Sequence, residues 1–127
     1  MVWFFIYILL MSTMIFNQKN VIESFVHSFC GPSAIRSADG IHLLINTKWI
    51  SIIGNVHGMS IYEMQKDTTD EVVKKNSQYC IRCDEEAIKY QEPVYKYENF
   101  KGKRYSTIRI PIVYDKQSAI LILCCAM

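Results

Sequence analysis

The sequence predicts a single α+β domain in which helices cover an antiparallel sheet. Apolar residues have helical spacing after Asn17 and between Thr69 and Tyr90, whereas the segments around Asp39-Gly40 and after Pro93 have the composition of strands joined by tight turns. The chain has 127 residues, of which 50% are hydrophobic, and this is enough for one hydrophobic core but not for a second domain.

Charge and cysteine content exclude two classes of protein. Fourteen basic and twelve acidic side chains give a formal net charge of +2, and no run of like charges occurs. Nucleic-acid binders carry clustered lysines and arginines, so we expect no direct nucleic-acid contact by this segment. Five cysteines, two of them adjacent at Cys124 and Cys125, make a poor disulfide framework and favour a reducing, cytoplasmic location.

The first sixteen residues, Met1 to Phe16, form a hydrophobic segment ahead of a domain at residues 17–127. As a helix this segment would span about 24 Å, against about 30 Å for a hydrocarbon core. It has no basic amino-terminal region and no small-x-small cleavage pattern, which argues against a signal peptide. Three interpretations stay open: a membrane-embedded end, a hydrophobic helix that covers a subunit surface, or a translation start at Met11 or Met14.

The first amphipathic helix is expected to begin near Asn20, which can form a capping box with Glu23. Gly31-Pro32 ends this helix, because proline disfavours helical geometry at the residue before it. The apolar face has the spacing i, i+1, i+4, i+5, i+8 and contains Val21, Ile22, Phe25, Val26 and Phe29.

Two strands are predicted next, Ser33 to Ala38 and Ile41 to Ile45, joined by a tight turn at Asp39-Gly40. Asn46 then offers a cap oxygen for a short helix that contains Trp49. We interpret Asn46 as a helix cap and not as a ligand contact.

Between the predicted short helix that contains Trp49 and the last three strands, the sequence pattern predicts only helices. Residues 55–66 are irregular and favour short helical turns, and a long helix follows from Thr69 to about Tyr90. Ile81 and Ile88 fall outside the expected core-facing arc of this helix, so two helices joined near Gln78 are an alternative. The arc is about 120° wide, contains no charged residue, and consists of Val72, Val73, Asn76, Tyr79, Cys80, Cys83, Ala87 and Tyr90.

Three strands complete the domain: Val94 to Phe100, Tyr105 to Ile112 and Ala119 to Met127. On the middle strand, Arg109 shares one face with Tyr105 and a threonine, and isoleucines occupy the other face. The last strand is apolar throughout, which indicates burial on both faces or a subunit contact.

Several short motifs between about Ile22 and Met127 stand in an order that is itself informative. They are Gly31-Pro32-Ser33-Ala34-Ile35-Arg36, Asp39-Gly40, Asn46, Asp84 with Ala87-Ile88, Glu92-Pro93, and Pro111 with Asp115. With these motifs the chain resembles PAS sensory domains, and in particular those at the start of bacterial LuxR-type helix-turn-helix regulators. Gln91 and Ser118 depart from the pattern, since the family usually has glycine there. The chain also stops at Met127, where an "aspartate-isoleucine-threonine" ending would usually lead into an output module.

The resemblance implies a five-stranded antiparallel sheet in the order 2-1-5-4-3, with helices packed on one face and a small ligand cavity between the two layers, preceded here by a hydrophobic amino-terminal helix. It also implies a non-catalytic signal-sensing and dimerisation domain of a bacterial transcription regulator whose output module is not in this chain. The alternative is the sensor domain of a membrane-associated histidine kinase or cyclic-nucleotide enzyme, with Met1 to Phe16 as the end of a membrane anchor. We expect homodimers, because the amino-terminal segment and the apolar last strand would leave exposed apolar surface.

Trp49, Tyr62 and Arg109 are the candidate ligand-binding residues. If the face of Arg109 borders the cavity, its guanidinium could hold an anionic metabolite; if that face is open, Arg109 is a solvated or dimer-facing charge, which the sequence favours. A core role is favoured over ligand contact for both Trp49 and Tyr62.

Other candidate chemistry has weaker support in the sequence. Cys80-x-x-Cys83 lacks a second ligand pair for zinc and lies in the buried arc, so we favour a structural role over metal or redox use. The histidines are expected at the surface or in turns, and no haem or flavin motif is present. Asp84, Glu85 and Glu86 are expected on the outer, solvated face of their helix. Neither these carboxylates nor Ser24 with His27 form a convincing catalytic group.

Overall fold

A computed structural model describes the backbone of residues 2–127 and the side chains of residues 2–9 and 18–127. The first element, α1 (Val2–Ser28), is one continuous helix, where the sequence predicts a change near Asn17. The predicted domain boundary at residue 16 and the alternative starts at Met11 and Met14 fall among side chains outside the described residues, and they stay predictions. No helix searched within the described residues is long and apolar enough to cross a membrane.

Over the described residues, α1 is followed by three helices and five strands that form one antiparallel sheet in the order β2-β1-β5-β4-β3. This is the strand order that the resemblance implies, and the prediction is confirmed. In chain order the elements are β1 (Ser33–Ser37), β2 (His42–Ile45), α2 (Thr47–Ile52), α3 (Ile61–Asp67), α4 (Glu71–Tyr90), β3 (Val94–Phe100), β4 (Lys103–Tyr114) and β5 (Gln117–Ala126).

The central strand is β5, the last in the sequence. It pairs with β1 on one side and β4 on the other, so that Ile122 lies opposite both Ala34 and Arg109. Ile122 faces α2, α3 and α4 on what we call the inner face of the sheet, whereas Leu121 packs with Val26 of α1 on the outer face. The middle of β5 is therefore buried on both faces. The expectation that the last strand leaves exposed apolar surface for a dimer is wrong for this part of the strand.

The second half of α1 is fixed to the sheet. Lys19 lies 3.4 Å from Asp115, and the hydroxyl of Tyr114 donates to Glu23 at 2.6 Å. Just after the helix, a Cβ at Gly31 would lie 2.0 Å from the carbonyl oxygen of Cys124, so the chain can approach β5 this closely only with glycine. At the other end of α1, each of the first eight described side chains is at least 43% exposed.

The long helix α4 is a single helix whose buried face differs from the predicted arc. Val72, Val73 and Tyr90 are exposed. The buried stripe is rotated from the predicted arc by roughly 60°, at 100° per residue. It consists of Ser77, Cys80, Ile81, Cys83, Asp84 and Ala87. The reason is that α3 packs against this side of α4, where Ile61 contacts the cluster of Cys80 and Ile81.

Candidate functional site

A cavity of about 380 Å³ lies between the inner face of the sheet and helices α2, α3 and α4. This volume is within the range of about 300–1,000 Å³ that is typical of small-molecule sites. Exposed Val72 at the start of α4 and exposed Lys101 at the β3–β4 turn border its mouth. The apolar part of the wall includes Trp49, Ile52, Ile53, Ile61, Met64, Val73, Phe100 and Ile122.

Beside this apolar wall lies a buried cluster of two arginines and two carboxylates. Arg36 on β1 donates from Nε and Nη2 to the two carboxylate oxygens of Asp84 at 2.8 and 3.0 Å. Arg109 on β4 donates from Nε to Asp84 Oδ1 at 2.8 Å, and from Nη1 and Nη2 to the two carboxylate oxygens of Glu98 at 2.7 and 3.0 Å. Asp84 therefore ties α4 to two strands, and Glu98 ties Arg109 to β3. We call these four residues the ion cluster.

The ion cluster is charged at neutral pH. Burial would by itself raise the pKa of both carboxyls, because it disfavours the charged form. For Asp84, the charges and hydrogen bonds of Arg36 and Arg109 outweigh burial and hold the pKa below its usual value. For Glu98, the hydrogen bonds and charge of Arg109 have the same effect, and Thr107 and Cys80 also donate to this carboxylate.

Two expectations from the sequence are wrong here. Arg109 is not a solvated or dimer-facing charge, since it is 1% exposed and lies on the inner face beside the cavity. Asp84 is not part of the solvated face of α4, since it is 7% exposed, whereas the neighbouring Glu85 is exposed as predicted. Each error has the same physical cause, which is that a buried ion paired with an opposite charge can replace the solvation it loses.

His42 on β2 is also buried beside the ion cluster, so the expectation that the histidines lie at the surface or in turns is wrong for this residue, whereas His27 and His57 are exposed as expected. Its Nε2 lies 3.3 Å from Arg36 Nη1, and its Nδ1 lies 2.9 Å from the carbonyl oxygen of Met59. A guanidinium only donates, so Nε2 accepts from Arg36 and the proton of the neutral ring is on Nδ1. Burial, followed by the charge of Arg36, lowers the pKa of His42 from 6.5 to about 4.

The position of His42 predicts a loss of stability in mild acid. The folded protein keeps the ring neutral down to a pKa of about 4, while the unfolded chain takes up a proton near 6.5, so this contribution is fully present above pH 6.5 and is lost as the pH falls towards 4. Between pH 7 and pH 5 we expect the free energy of unfolding to fall by about 2 kcal/mol through this residue. Urea denaturation at the two pH values measures it.

The control for this prediction is a pair of variants. His42→Gln, which cannot take up a proton, should flatten the pH dependence between pH 7 and pH 5. His27→Gln, at an exposed position of α1, should leave it as in the wild type. An unchanged pH dependence in His42→Gln would contradict the prediction.

The structure brings two of the three candidate ligand-binding residues together. Trp49 on α2 and Arg109 both line the cavity. Tyr62 on α3 is 41% exposed and lines a separate, smaller pocket of about 160 Å³, and its hydroxyl donates to Glu85 at 3.3 Å. Sequence reasoning did not assign Arg36, His42 or Glu98 to the site. Only Glu98 has a local signal, because the alternation along β3 places it on the buried face of the strand.

The cap of α2 fixes the position of Trp49. Asn46 Oδ1 accepts from the backbone N–H of Trp49 at 2.9 Å and from that of Ser33 at 3.0 Å. Its Nδ2 donates to the carbonyl oxygens of Val26 and Gly31 at 3.0 and 2.9 Å. The prediction that Asn46 is a helix cap is confirmed, and the same side chain also joins the end of α1 to β1.

The thiols of Cys80 and Cys83 are both buried on α4. Burial raises the pKa of Cys80 to about 12, and its Sγ donates to Glu98 Oε1 at 3.3 Å. A thiol with so high a pKa is a poor nucleophile and a poor metal ligand at neutral pH. Within the residues searched, no group of three or more histidine, cysteine or acidic side chains is arranged to hold a metal ion.

Comparison with known proteins places this architecture among PAS domains. No family model matches the sequence, and neither does any curated protein. The PAS domain of BvgS from Bordetella pertussis superimposes with a TM-score of 0.62 at 14% identity, over 87% of each chain. A sensory box sensor histidine kinase from Vibrio cholerae gives a TM-score of 0.60 at 12% identity, over 92% of this chain and 97% of that one.

A third similar structure is the dimer of VqmA from Vibrio cholerae, which is described among LuxR-type receptors. It gives a TM-score of 0.63 at 9% identity, over 82% of this chain and 49% of VqmA. The chain therefore spans about half the length of VqmA. At such low identities these similarities show the fold, and the fold of this chain is the PAS fold that its motifs indicate.

Proposed function

We propose that this PAS-fold domain is a non-catalytic signal-sensing and dimerisation domain of a bacterial, cytoplasmic transcription regulator. The observation that carries the proposal is the cavity of about 380 Å³ that lies between the sheet and its helices. Trp49 and Arg109 line it, and a small molecule bound there would contact the sheet and the helices at once. The resemblance to the LuxR-type regulators and the similarity to VqmA support a transcription regulator as the protein to which this domain belongs.

The ion cluster offers a route from the cavity to the rest of the domain. Arg36 and Arg109 line the cavity, and both are held by Asp84 of α4. A ligand that shifts either guanidinium would change how α4 lies on the sheet. Because a ligand acts through its different affinity for two arrangements of a protein, this coupling is a physical basis for sensing.

The proposal includes no catalytic step. The charged groups beside the cavity are paired with each other, and the nearby Cys80 thiol stays protonated at neutral pH. The five cysteines include the adjacent Cys124 and Cys125 and make a poor disulfide framework, which supports a reducing compartment.

Homodimers are supported by the start of α1. The apolar side chains from Val2 to Leu9 are exposed, including Trp3 at 83% exposure. A contiguous apolar surface of this kind is typical of an interface. Sedimentation of the purified chain as a dimer is expected, and a clean monomer at high concentration would contradict this part of the proposal.

The second candidate is the sensor domain of a membrane-associated histidine kinase or cyclic-nucleotide enzyme. The exposed Val2 to Leu9 segment would then contact a membrane, and the similarity to a sensory box sensor histidine kinase supports this candidate. The coding sequence around Met127 distinguishes the two. A helix-turn-helix supports the first candidate, and a long heptad helix with a phosphorylatable histidine supports the second.

Native mass spectrometry of freshly purified protein tests the sensing proposal. We expect a small molecule of constant mass to remain bound, with at most one per chain. Val73→Trp should abolish its retention, because Val73 lines the cavity and a larger side chain there fills it. Val113→Trp is the matched control at an exposed position outside the cavity wall. Equal retention by both variants would place the molecule elsewhere and contradict the proposal.

A further inference from the structure

The ion cluster beside the cavity is balanced in charge, with Arg36, Arg109 and Glu98 in the cavity wall and Asp84 behind it, towards the smaller pocket. Arg36 and Arg109 carry two positive charges, and Asp84 and Glu98 carry two negative charges that are paired with them at 2.7 to 2.8 Å. Each arginine uses two nitrogens on one carboxylate, which is the strongest geometry for such a pair. The ion cluster therefore offers an incoming ion no unpaired partner of opposite charge.

The other titratable groups around the cavity do not change this balance. His42 is neutral at pH 7, and burial raises the pKa of Cys80 and Cys124 to about 12, so both thiols stay uncharged. At the mouth, Asp70 and Lys101 are exposed and carry opposite charges. The ion cluster behind and within the wall thus has no net charge, and neither does the pair of charged residues at the opening.

A charged ligand would be disfavoured in such a site. An ion that leaves water needs a partner of opposite charge in the protein, and without one its desolvation is not compensated. An anion bound by Arg109 would have to displace Glu98 or Asp84 from the guanidinium. The anionic metabolite that the sequence suggests for Arg109 is therefore the ligand class that the ion cluster opposes.

One donor beside the cavity has no partner. Among the described residues, Nε1 of Trp49 is the buried side-chain nitrogen without a hydrogen-bond acceptor, although Trp49 is 3% exposed and lines the cavity. Buried indole nitrogens normally have an acceptor. Because this nitrogen is itself closed off from solvent, a ligand in the cavity would supply the missing bond by turning the indole towards an acceptor of its own.

We propose that the cavity binds an uncharged, largely apolar small molecule that accepts a hydrogen bond from the indole of Trp49. This inference rests on the proposed sensing function and adds the chemical class of the ligand.

Four single-ring probes of closely similar size test the two parts of this proposal. Acetophenone is neutral and has an acceptor, α-methylstyrene has the same shape without the acceptor, and benzoate and benzamidinium carry opposite charges. Binding is measured by the emission of Trp49 in a Trp3→Phe variant and by saturation-transfer NMR of each probe. We expect acetophenone to bind at least about tenfold more tightly than either ion, which corresponds to about 1.4 kcal/mol, and more tightly than α-methylstyrene.

The outcomes separate the inference from the proposed function. Preferential binding of benzoate or benzamidinium in the cavity overturns the inference and leaves ligand sensing intact. Binding of none of the probes, together with the absence of a retained molecule in native mass spectrometry, overturns ligand sensing and the inference with it. Equal affinity for acetophenone and α-methylstyrene overturns the role of the Trp49 donor.

Two variants extend the test. Trp49→Phe, followed by NMR, should remove the preference for acetophenone over α-methylstyrene. Glu98→Gln removes one of the two negative charges paired with Arg109, and it should shift the preference towards benzoate. If benzoate binding is unchanged in a Glu98→Gln protein that is folded by circular dichroism, the charge-balance argument is wrong; the wild-type probe series decides the matter even where this variant does not fold.

Discussion

Replacing Asp84 with alanine should lower the free energy of unfolding by about 3–5 kcal/mol. The substitution removes the carboxylate that accepts from both Arg36 and Arg109, at 2.8 Å from the Nε of each. Arg36 then keeps no anionic partner, and Arg109 keeps only Glu98. An unpaired guanidinium that is 2% exposed cannot recover its solvation without opening the domain. Urea denaturation at neutral pH measures the loss.

The neighbouring residue supplies the control for Asp84. Glu85→Ala removes an exposed carboxylate whose bond is to the hydroxyl of Tyr62, and we expect a change of less than about 1 kcal/mol. Asp84→Asn, which preserves shape but not charge, should lie between the two and keeps the comparison possible if Asp84→Ala does not fold. A loss in Asp84→Ala no larger than in Glu85→Ala would show that the ion cluster contributes little to stability.

Asn46→Ala should have the second largest effect, a loss of about 3 kcal/mol or more. The side chain makes four hydrogen bonds in the interior, to the backbone of Val26, Gly31, Ser33 and Trp49. Alanine leaves these donors and acceptors without their partner, and each buried unsatisfied group costs about 1–3 kcal/mol. The unfolding midpoint in urea and the emission of Trp49 should both change, because α2 loses its cap.

Ser60→Ala separates capping from the interior role of Asn46. Ser60 also caps a helix, α3, but its hydroxyl accepts only from the N–H of Tyr62, at 3.2 Å. We expect about 1 kcal/mol for this loss. If Asn46→Ala costs no more than Ser60→Ala, then the bonds from Asn46 to α1 and β1 do not stabilise the fold.

Most of the fold was predictable from the turn residues and strand patterns of the sequence. Asp39-Gly40 placed the β1–β2 hairpin, where Gly40 has a φ of +83°, and the gap between the predicted strands Val94 to Phe100 and Tyr105 to Ile112 placed the β3–β4 hairpin. These are local signals, since the turn residues determine the backbone geometry of their own neighbourhood. The sheet order needed the resemblance of the whole set of motifs, because strand composition does not say which strands pair.

The site was only partly predictable from the sequence, because its contacts are not local. Asp84 lies 48 residues from Arg36 and 25 from Arg109, so nothing near it in the sequence reveals its partners. A charged residue on a helix is more often solvated than buried, and this prior shifted the predicted arc of α4 away from Asp84. The prediction that His42 is exposed was wrong for the same reason, because its burial depends on Arg36 and on Met59 in a later loop. The place of Trp49 in the first turn of α2 was predictable, because the cap of that helix, Asn46, is local.

The central position of β5 has a consequence for how the chain is made. The side-chain hydroxyl of Ser33 on β1 donates to the carbonyl oxygen of Ile122, which is 89 residues later in the sequence. The edge of β1 that pairs with β5 therefore has no partner until β5 has left the ribosome. During synthesis the nascent β1–β2 hairpin therefore exposes an unpaired strand edge, the feature through which unfinished chains associate wrongly. Closing so distant a contact is also slow. Chaperone demand during translation should thus depend on how quickly the codons between β1 and β5 are read.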